Sequence, residues 1–300
     1  MRKLFSKTTI ALLLLIFFWG ASWSVYKMAL PYTPPLLFAG MRALIGGLLL
    51  AAFMFAKRSE IQWRRHWKKY IISAIFNSIL FFGLQTIGLI YLPGGLFSVL
   101  VYFQPVLLGI FAWLWLGEYM APVKILGLFV GFIGIIIVSL DGLHVHISVI
   151  GVVLGLLTAL CWALGTVYVK KVSREINAFW MVAMQSIIGG SVLLSVGSIT
   201  ESWSAIEWNI PVFAGIGYGA TFGIPISYVI YYTLVNAGEA SKVGSFTFLV
   251  PIIAVFIGTV FFGEPLTFTL LIGLALVGLS IYFVNYNGRP RELPVHKENV

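Results

Sequence analysis

Charge is scarce in this sequence, acidic charge most of all, and cysteine is nearly absent. Of 300 residues only 10% are charged, ten of them Asp or Glu, and Cys161 is the one cysteine. A water-soluble chain of this length needs a polar shell that so little charge does not supply. With 60% hydrophobic residues and a mean hydropathy of +1.00, the medium is lipid. A single cysteine excludes an intramolecular disulfide. The loops are too short to hold a soluble domain, and the polar tail from Asn287 to Val300 reads as disordered.

Catalytic chemistry is also missing. No Ser/His/Asp set, metal cluster or phosphate loop stands out, so the expectation is no enzyme, no cofactor and no metal. His144 and His146 form an HxH pair, which is two ligands without a third. Gly215, Gly217, Gly219 and Gly223 look only loosely like a dinucleotide loop, since no strand precedes them and they lie in an apolar span. The net charge of +9 does not make a nucleic-acid surface. Twelve of the 19 Lys and Arg sit in the N-terminal tail, in residues 57–69 and in the C-terminal tail, which is a topology signal.

What is present is a series of apolar runs. Bounded by charge, Pro or Gly, they predict ten spans: 8–28, 34–56, 70–91, 95–116, 122–140, 148–169, 178–198, 211–234, 240–262 and 266–286. The first is too long for a signal-peptide core and has no small-residue cleavage pattern after it, so it is expected to stay as a helix. With the N-terminus inside, 17 of 19 basic residues fall on cytoplasmic segments, while Asp141, Glu201 and Glu207 fall outside. That excess predicts a multi-pass cell-membrane protein with both termini cytoplasmic.

The runs repeat. Trp19, Ser22 and Lys27 recur as Trp162, Gly165 and Lys170 at an offset of 143. Pro105 stands 13 residues before Glu118 as Pro251 stands 13 before Glu264, at an offset of 146 that Gly127 and Gly273 keep, as do Gly94 with Ala240 and Gly95 with Ser241. A 5+5 repeat follows, and because five is odd the second half is inverted. The halves are 1–143 and 144–286, followed by the tail 287–300. Inverted repeats of this kind build transporters with a midplane site at the repeat interface, although a channel shares the symmetry.

Trp19-Gly20-Ala21-Ser22-Trp23, Phe38 with Arg42, the stretch from Pro105 to Gly117-Glu118 and its repeat from Pro251 to Gly263-Glu264 resemble the drug/metabolite transporter superfamily, in its ten-helix EamA-type permease branch. The resemblance covers residues 8–286. It implies export of small metabolites, often amino acids, by bacteria, and a central cavity lined chiefly by the third, fourth, sixth, eighth and ninth spans. The expected function is therefore secondary transport of a small-molecule substrate by alternating access. The lipid bilayer is the other partner, nucleic acid is not one, and the assembly is a monomer or homodimer. Proton-coupled export of cationic drugs is the alternative, but it needs a buried carboxylate that no span carries near its middle. A membrane sensor or scaffold is the reading from another class.

Candidate site residues come from polar groups at mid-span kinks. Pro105, Pro225 and Pro251 each remove a backbone donor. Near them stand Tyr102, Gln104, Tyr228, Tyr231 and Thr247. Asn77 and Gln85 on the third span and Trp162 on the sixth complete the set with Gln185, the repeat counterpart of Arg42. Each of these serves equally well as a bond between helices or as a substrate contact. Arg42 is the one deep charge, expected to pair with backbone carbonyls, Gln and Ser side chains or a substrate anion, with a structural role preferred. Glu118 and Glu264 are expected to favour the positive end of the helix that follows each, and Glu239 to pair with Lys242 across a short turn.

Overall fold

In hydrocarbon no water replaces a lost backbone hydrogen bond, so an apolar chain must satisfy its N–H and C=O groups internally, as a helix does. The computed structural model describes residues 7–92, 94–139, 148–262 and 268–286, and among them every regular element is helical. The α-helices are α1 (Lys7–Ala29), α2 (Pro35–Phe53), α3 (Trp63–Ala74), α4 (Phe81–Tyr91), α5 (Gly94–Val101), α6 (Gln104–Leu116) and α7 (Pro122–Ser139), then α8 (Val149–Val172), α9 (Ala178–Thr200), α10 (Ile210–Tyr218), α11 (Ser227–Ala237), α12 (Ala240–Phe246), α13 (Leu249–Phe262) and α14 (Phe268–Asn285). Six stretches are long and apolar enough to cross a membrane: 7–32, 35–53, 63–91, 149–172, 178–200 and 210–237. Four shorter apolar segments lie in α6, in α7, from α12 into α13, and in α14.

Local chemistry places the ends. Ser148, Asn177 and Asn209 each accept a bond from the first-turn amides of α8, α9 and α10. Gly117, at φ +69°, closes α6 in the left-handed region.

The surface is inverted relative to a soluble protein. Leu13, Phe17, Leu48, Phe53, Ile90, Ile199 and Phe213 are exposed, while Ser73, Asn77, Gln104, Thr158 and Gln185 are buried. Trp63, Trp67, Trp113, Trp115, Trp203 and Trp208 are exposed near helix ends, where indole rings sit at a membrane interface.

Two departures from the sequence reading are instructive. Helix α3 begins at Trp63, seven residues before the expected span, so Arg64, Arg65, Lys68 and Lys69 lie on helix and not in a loop. Tyr70 explains this: its hydroxyl bonds the Ile61 carbonyl at 3.0 Å and its ring stacks on Trp63, holding the basic turn against the bundle. An apolar window reports where lipid begins, whereas the helix begins at the interface. Second, α3 and α4 are joined by a π-helical segment, Ile75–Leu80, that contains no proline, while the matching Gly219–Ile226 between α10 and α11 contains Pro225. Pro105 and Pro251 do accompany breaks, at Tyr102–Phe103 before α6 and at Thr247–Phe248 before α13. His144, His146, Asp141, Glu264 and the tail 287–300 lie outside the described residues.

Helix pairing organises the bundle. Helices α2 and α9 run antiparallel in close contact. Leu37 meets Gly197, Gly40 meets Leu194, Leu44 meets Gly190 and Gly47 meets Ile187. Helices α7 and α14 pair the same way, with Gly127 against Phe283, Gly131 against Ser280 and Gly134 against Leu276. Around these pairs α4 and α6 pack on α8, while α1 packs on α13 and along α10 and α11.

Small residues make the α2–α9 approach possible. A Cβ on Gly190 would stand 2.4 Å from the Leu44 backbone nitrogen, whereas one on Gly217 would meet nothing within 4 Å. Gly190→Ala should therefore cost about 1–3 kcal/mol by overpacking, read as a lower thermal midpoint in detergent. Gly217→Ala should match or exceed the parent, because alanine is the better helix former. A Gly190→Ala midpoint equal to that of Gly217→Ala would remove the seam as a stabilising contact.

Candidate functional site

On α1, Trp19, Ser22, Trp23 and Tyr26 fall at i, i+3, i+4 and i+7 and so share one face. That face walls a cavity completed by Arg42 of α2, Phe81, Phe82 and Gln85 of α4, Val101 and Tyr102 at the α5–α6 break, Trp162 of α8, and Gly223, Ile224 and Tyr228 around α11. Its cavity volume is about 50 Å³, small beside the ~300–1,000 Å³ typical of small-molecule sites. Trp23, Tyr26 and Gln85 are partly exposed, while Val101, Trp162 and Tyr228 are buried, so the cavity opens toward the C-terminal ends of α1 and α4.

Aromatic packing fixes the floor. Trp19 meets Trp162 edge-on at 5.3 Å and Tyr228 at 5.5 Å, and Trp162 meets Phe81 at 5.2 Å. Trp19 donates its ring N–H to the Gly223 carbonyl at 3.3 Å, and Trp23 donates to the Tyr102 hydroxyl at 3.3 Å. The Trp162 ring nitrogen is buried with no partner among the described residues.

Arg42 is only 2% exposed. On insertion scales a mid-span guanidinium costs at least ~2.5 kcal/mol. The expected carbonyl, Gln and Ser partners are not what meets it. Its Cζ lies 4.2 Å from the Tyr26 ring centroid, 5.0 Å from that of Phe82 and 5.4 Å from that of Phe38, an arrangement in which each ring contributes on the order of 0.5–2 kcal/mol. No described residue accepts a hydrogen bond from its buried Nε. Glycine makes room for this cage: a Cβ on Gly219 would sit 2.9 Å from that of Arg42, and one on Gly223 would sit 2.1 Å from the Tyr26 hydroxyl.

Of the residues singled out from sequence, the cavity brings together Gln85, Tyr102, Trp162, Tyr228 and Arg42. The others lie elsewhere. Gln185 is held by Ser73 Oγ at 2.6 Å and by the Tyr232 hydroxyl, Gln104 donates to Tyr231, and Asn77 donates to Ser73. Thr247 turns back onto the Gly244 carbonyl, and among the described residues the lining comes from α1 and α2 and not from the ninth span. Tyr26 and Ser22 were legible from the Trp19 helical face; Phe81 and Phe82 carry no signal that separates them from other apolar residues.

A scan of family models matches the EamA-like transporter family over residues 6–140 and 149–286. The chain belongs to that family. It is 49% identical to the "Uncharacterized transporter YvbV" of Bacillus subtilis (strain 168) over 292 residues, which is 97% of this chain and 96% of the relative. It is 30% identical to the "WAT1-related protein At3g02690, chloroplastic" of Arabidopsis thaliana, over 90% of this chain and 67% of the relative. A solved crystal structure superposes with a TM-score of 0.79 at 17% identity, covering 93% of this chain and 96% of its own, a likeness of fold.

In this EamA-like transporter the end of the bundle away from the cavity mouth is crossed by hydrogen bonds and ion pairs. That end carries the basic segment: Trp180 donates to the Lys57 carbonyl, Asn177 to Glu60, and Lys69 pairs with Glu175. Here Glu118 accepts from the Ala240 and Ser241 amides and the Ser241 hydroxyl, and pairs with Lys170 at 2.9 Å; Lys170 also donates to the Gly238 carbonyl. The carboxylate thus caps α12 and not the helix that follows it, α7, because the turn after Gly117 points it across the bundle. Glu239 pairs with Lys242, as expected, and also with Lys124.

Burial alone would raise the Glu118 carboxyl. The bonds from Ser241 and Lys170, the Lys170 charge and the Ala240 amide outweigh it and hold the group below its ordinary 4.5. Its stabilising contribution is therefore full above 4.5 and is lost as pH falls through the lowered value. Glu118→Ala should cost roughly 3 kcal/mol at neutral pH and flatten the acid limb of a plot of thermal midpoint against pH. An unchanged acid limb would show that Glu118 is not what couples this end to protons.

Proposed function

We propose that this chain is a secondary transporter that carries a small metabolite, such as an amino acid, out of a bacterial cytoplasm by alternating access between two inverted halves of five transmembrane helices. The observation that carries the proposal is the position of the aromatic cavity. It lies between helices of both halves, open at one end of the bundle, while the bonds of Glu118 and Lys170 cross the other.

The packing supports ten spans in a 5+5 inverted repeat. Pairing α3 with α4, α5 with α6, α10 with α11 and α12 with α13 turns fourteen helices into ten spans. Cognate helices of the two halves, α2 with α9 and α7 with α14, then lie antiparallel, as an in-plane two-fold requires. The contacts of α4 and α6 with α8 mirror those of α11 and α13 with α1. The family match to each half supports the same division, at 1–143 and 144–286. The basic residues support cytoplasmic termini, which makes this an outward-open arrangement.

Export of cationic drugs by proton exchange gains no support from the lining, which among the described residues includes Arg42 and no carboxylate. Proteoliposomes loaded across an amino-acid panel should show counterflow for at least one member above empty liposomes; no flux for any member sinks the amino-acid version. Overexpression should give no resistance to quaternary ammonium dyes, and clear resistance would reinstate the cationic-drug reading.

A further inference from the structure

Arg42 is the charged side chain of the cavity wall, and its chemistry is unfinished. A guanidinium presents five N–H donors in a planar fork. The rings of Tyr26, Phe38 and Phe82 meet its positive charge with their faces, but a ring face takes no directional pair of hydrogen bonds. No described residue forms an ion pair with it, and its buried Nε has no acceptor. Two polar groups of the wall already have partners of their own. The Ser22 hydroxyl donates to the Trp19 carbonyl, and the Tyr102 hydroxyl receives the Trp23 N–H. Gly219 and Gly223 pack closely against the Arg42 stem and the Tyr26 hydroxyl.

The remaining wall is aromatic, with Trp19, Trp23, Phe81, Trp162 and Tyr228 around the space that Arg42 faces. Such a surface takes a flat or apolar body by stacking. Among the described residues it offers no carboxylate counter-ion to an ammonium group.

We infer that Arg42 is the anion-binding group of this cavity and that its ligand is an organic monocarboxylate with a flat apolar body, bound bidentately through the carboxylate. The inference rests on the transporter reading and narrows it. The carboxylate end of an amino acid meets the same fork as that of a simple acid, whereas a cation is excluded by charge.

Equilibrium binding to the full chain in lipid nanodiscs tests this apart from transport. Phenylacetate, phenylacetamide and phenethylamine share one ring and differ in charge. Phenylacetate should bind at least about tenfold more tightly than phenylacetamide, the ratio expected of a charge-assisted hydrogen bond, and phenethylamine should bind most weakly. Arg42→Gln should abolish the acid-over-amide preference, and Arg42→Lys should keep part of it, since the charge stays and the fork goes. If Arg42→Gln fails to fold, the ratio measured on the parent protein still decides. Equal affinity for acid and amide, tightest binding of the amine, or no binding of the acid each overturns the assignment. Flux of some other substrate alongside any of those results leaves the transporter reading standing, and acid binding without flux of any solute does the reverse.

Discussion

A backbone amide that loses its helical partner in hydrocarbon finds no water to replace it, and this chain interrupts its helices at four places. Two are π-helical segments and two are outright breaks; among the described residues three lie on spans that line the cavity, and the fourth, at Thr247–Phe248, does not. Two of them bring local compensation: Ser227 donates to the Phe222 carbonyl at 2.6 Å and Thr247 to that of Gly244. The first amides of α12 are met by Glu118 from another helix. Interruptions are tolerated where the protein surrounds them, and widened or broken turns aim side chains inward that a regular helix would turn away.

The same constraint explains why a cation survives at depth. Burial of Arg42 without an acid is costly, and the three rings around it meet its charge without adding an anion that would neutralise it. An acid at that position would close a salt bridge and leave the fork saturated. Rings leave its charge without a protein counter-ion among the described residues, as the inferred recognition of an anion requires.

Much of this was legible from residues alone. Apolar runs locate the helices because lipid thickness sets their length, and the Trp19/Trp162 and Pro105/Pro251 spacings disclose the duplication because equivalent kinks recur at equivalent depth. Three things were not legible. The basic turn of α3 is helical because Tyr70 and Trp63 pin it, which hydropathy does not register. The π segment at Ile75–Leu80 has no proline to announce it; Asn77 and Ser78 pack there against Gly165 and Gly189, a long-range fit. Glu118 reads as a capping residue, but which helix it caps depends on the turn after Gly117, since a carboxylate at a helix end is drawn to whichever amides lie free before it.

The duplication also separates scaffold from chemistry. Under the proposed inverted repeat, Trp19 and Trp162 are equivalent residues, and they meet each other at 5.3 Å, as a pair astride a two-fold should. Arg42 and Gln185 are equivalent too, on the antiparallel pair α2 and α9, yet their surroundings differ. Gln185 is satisfied by Ser73 and Tyr232 and knits its helices together. Arg42 stands among rings, its buried Nε without an acceptor among the described residues. A symmetric frame lets the two halves exchange conformations at similar energy, whereas a ligand with one charged end needs an asymmetric site. Placing the cation in one half and a saturated amide in the other meets both requirements without disturbing the packing that the halves share.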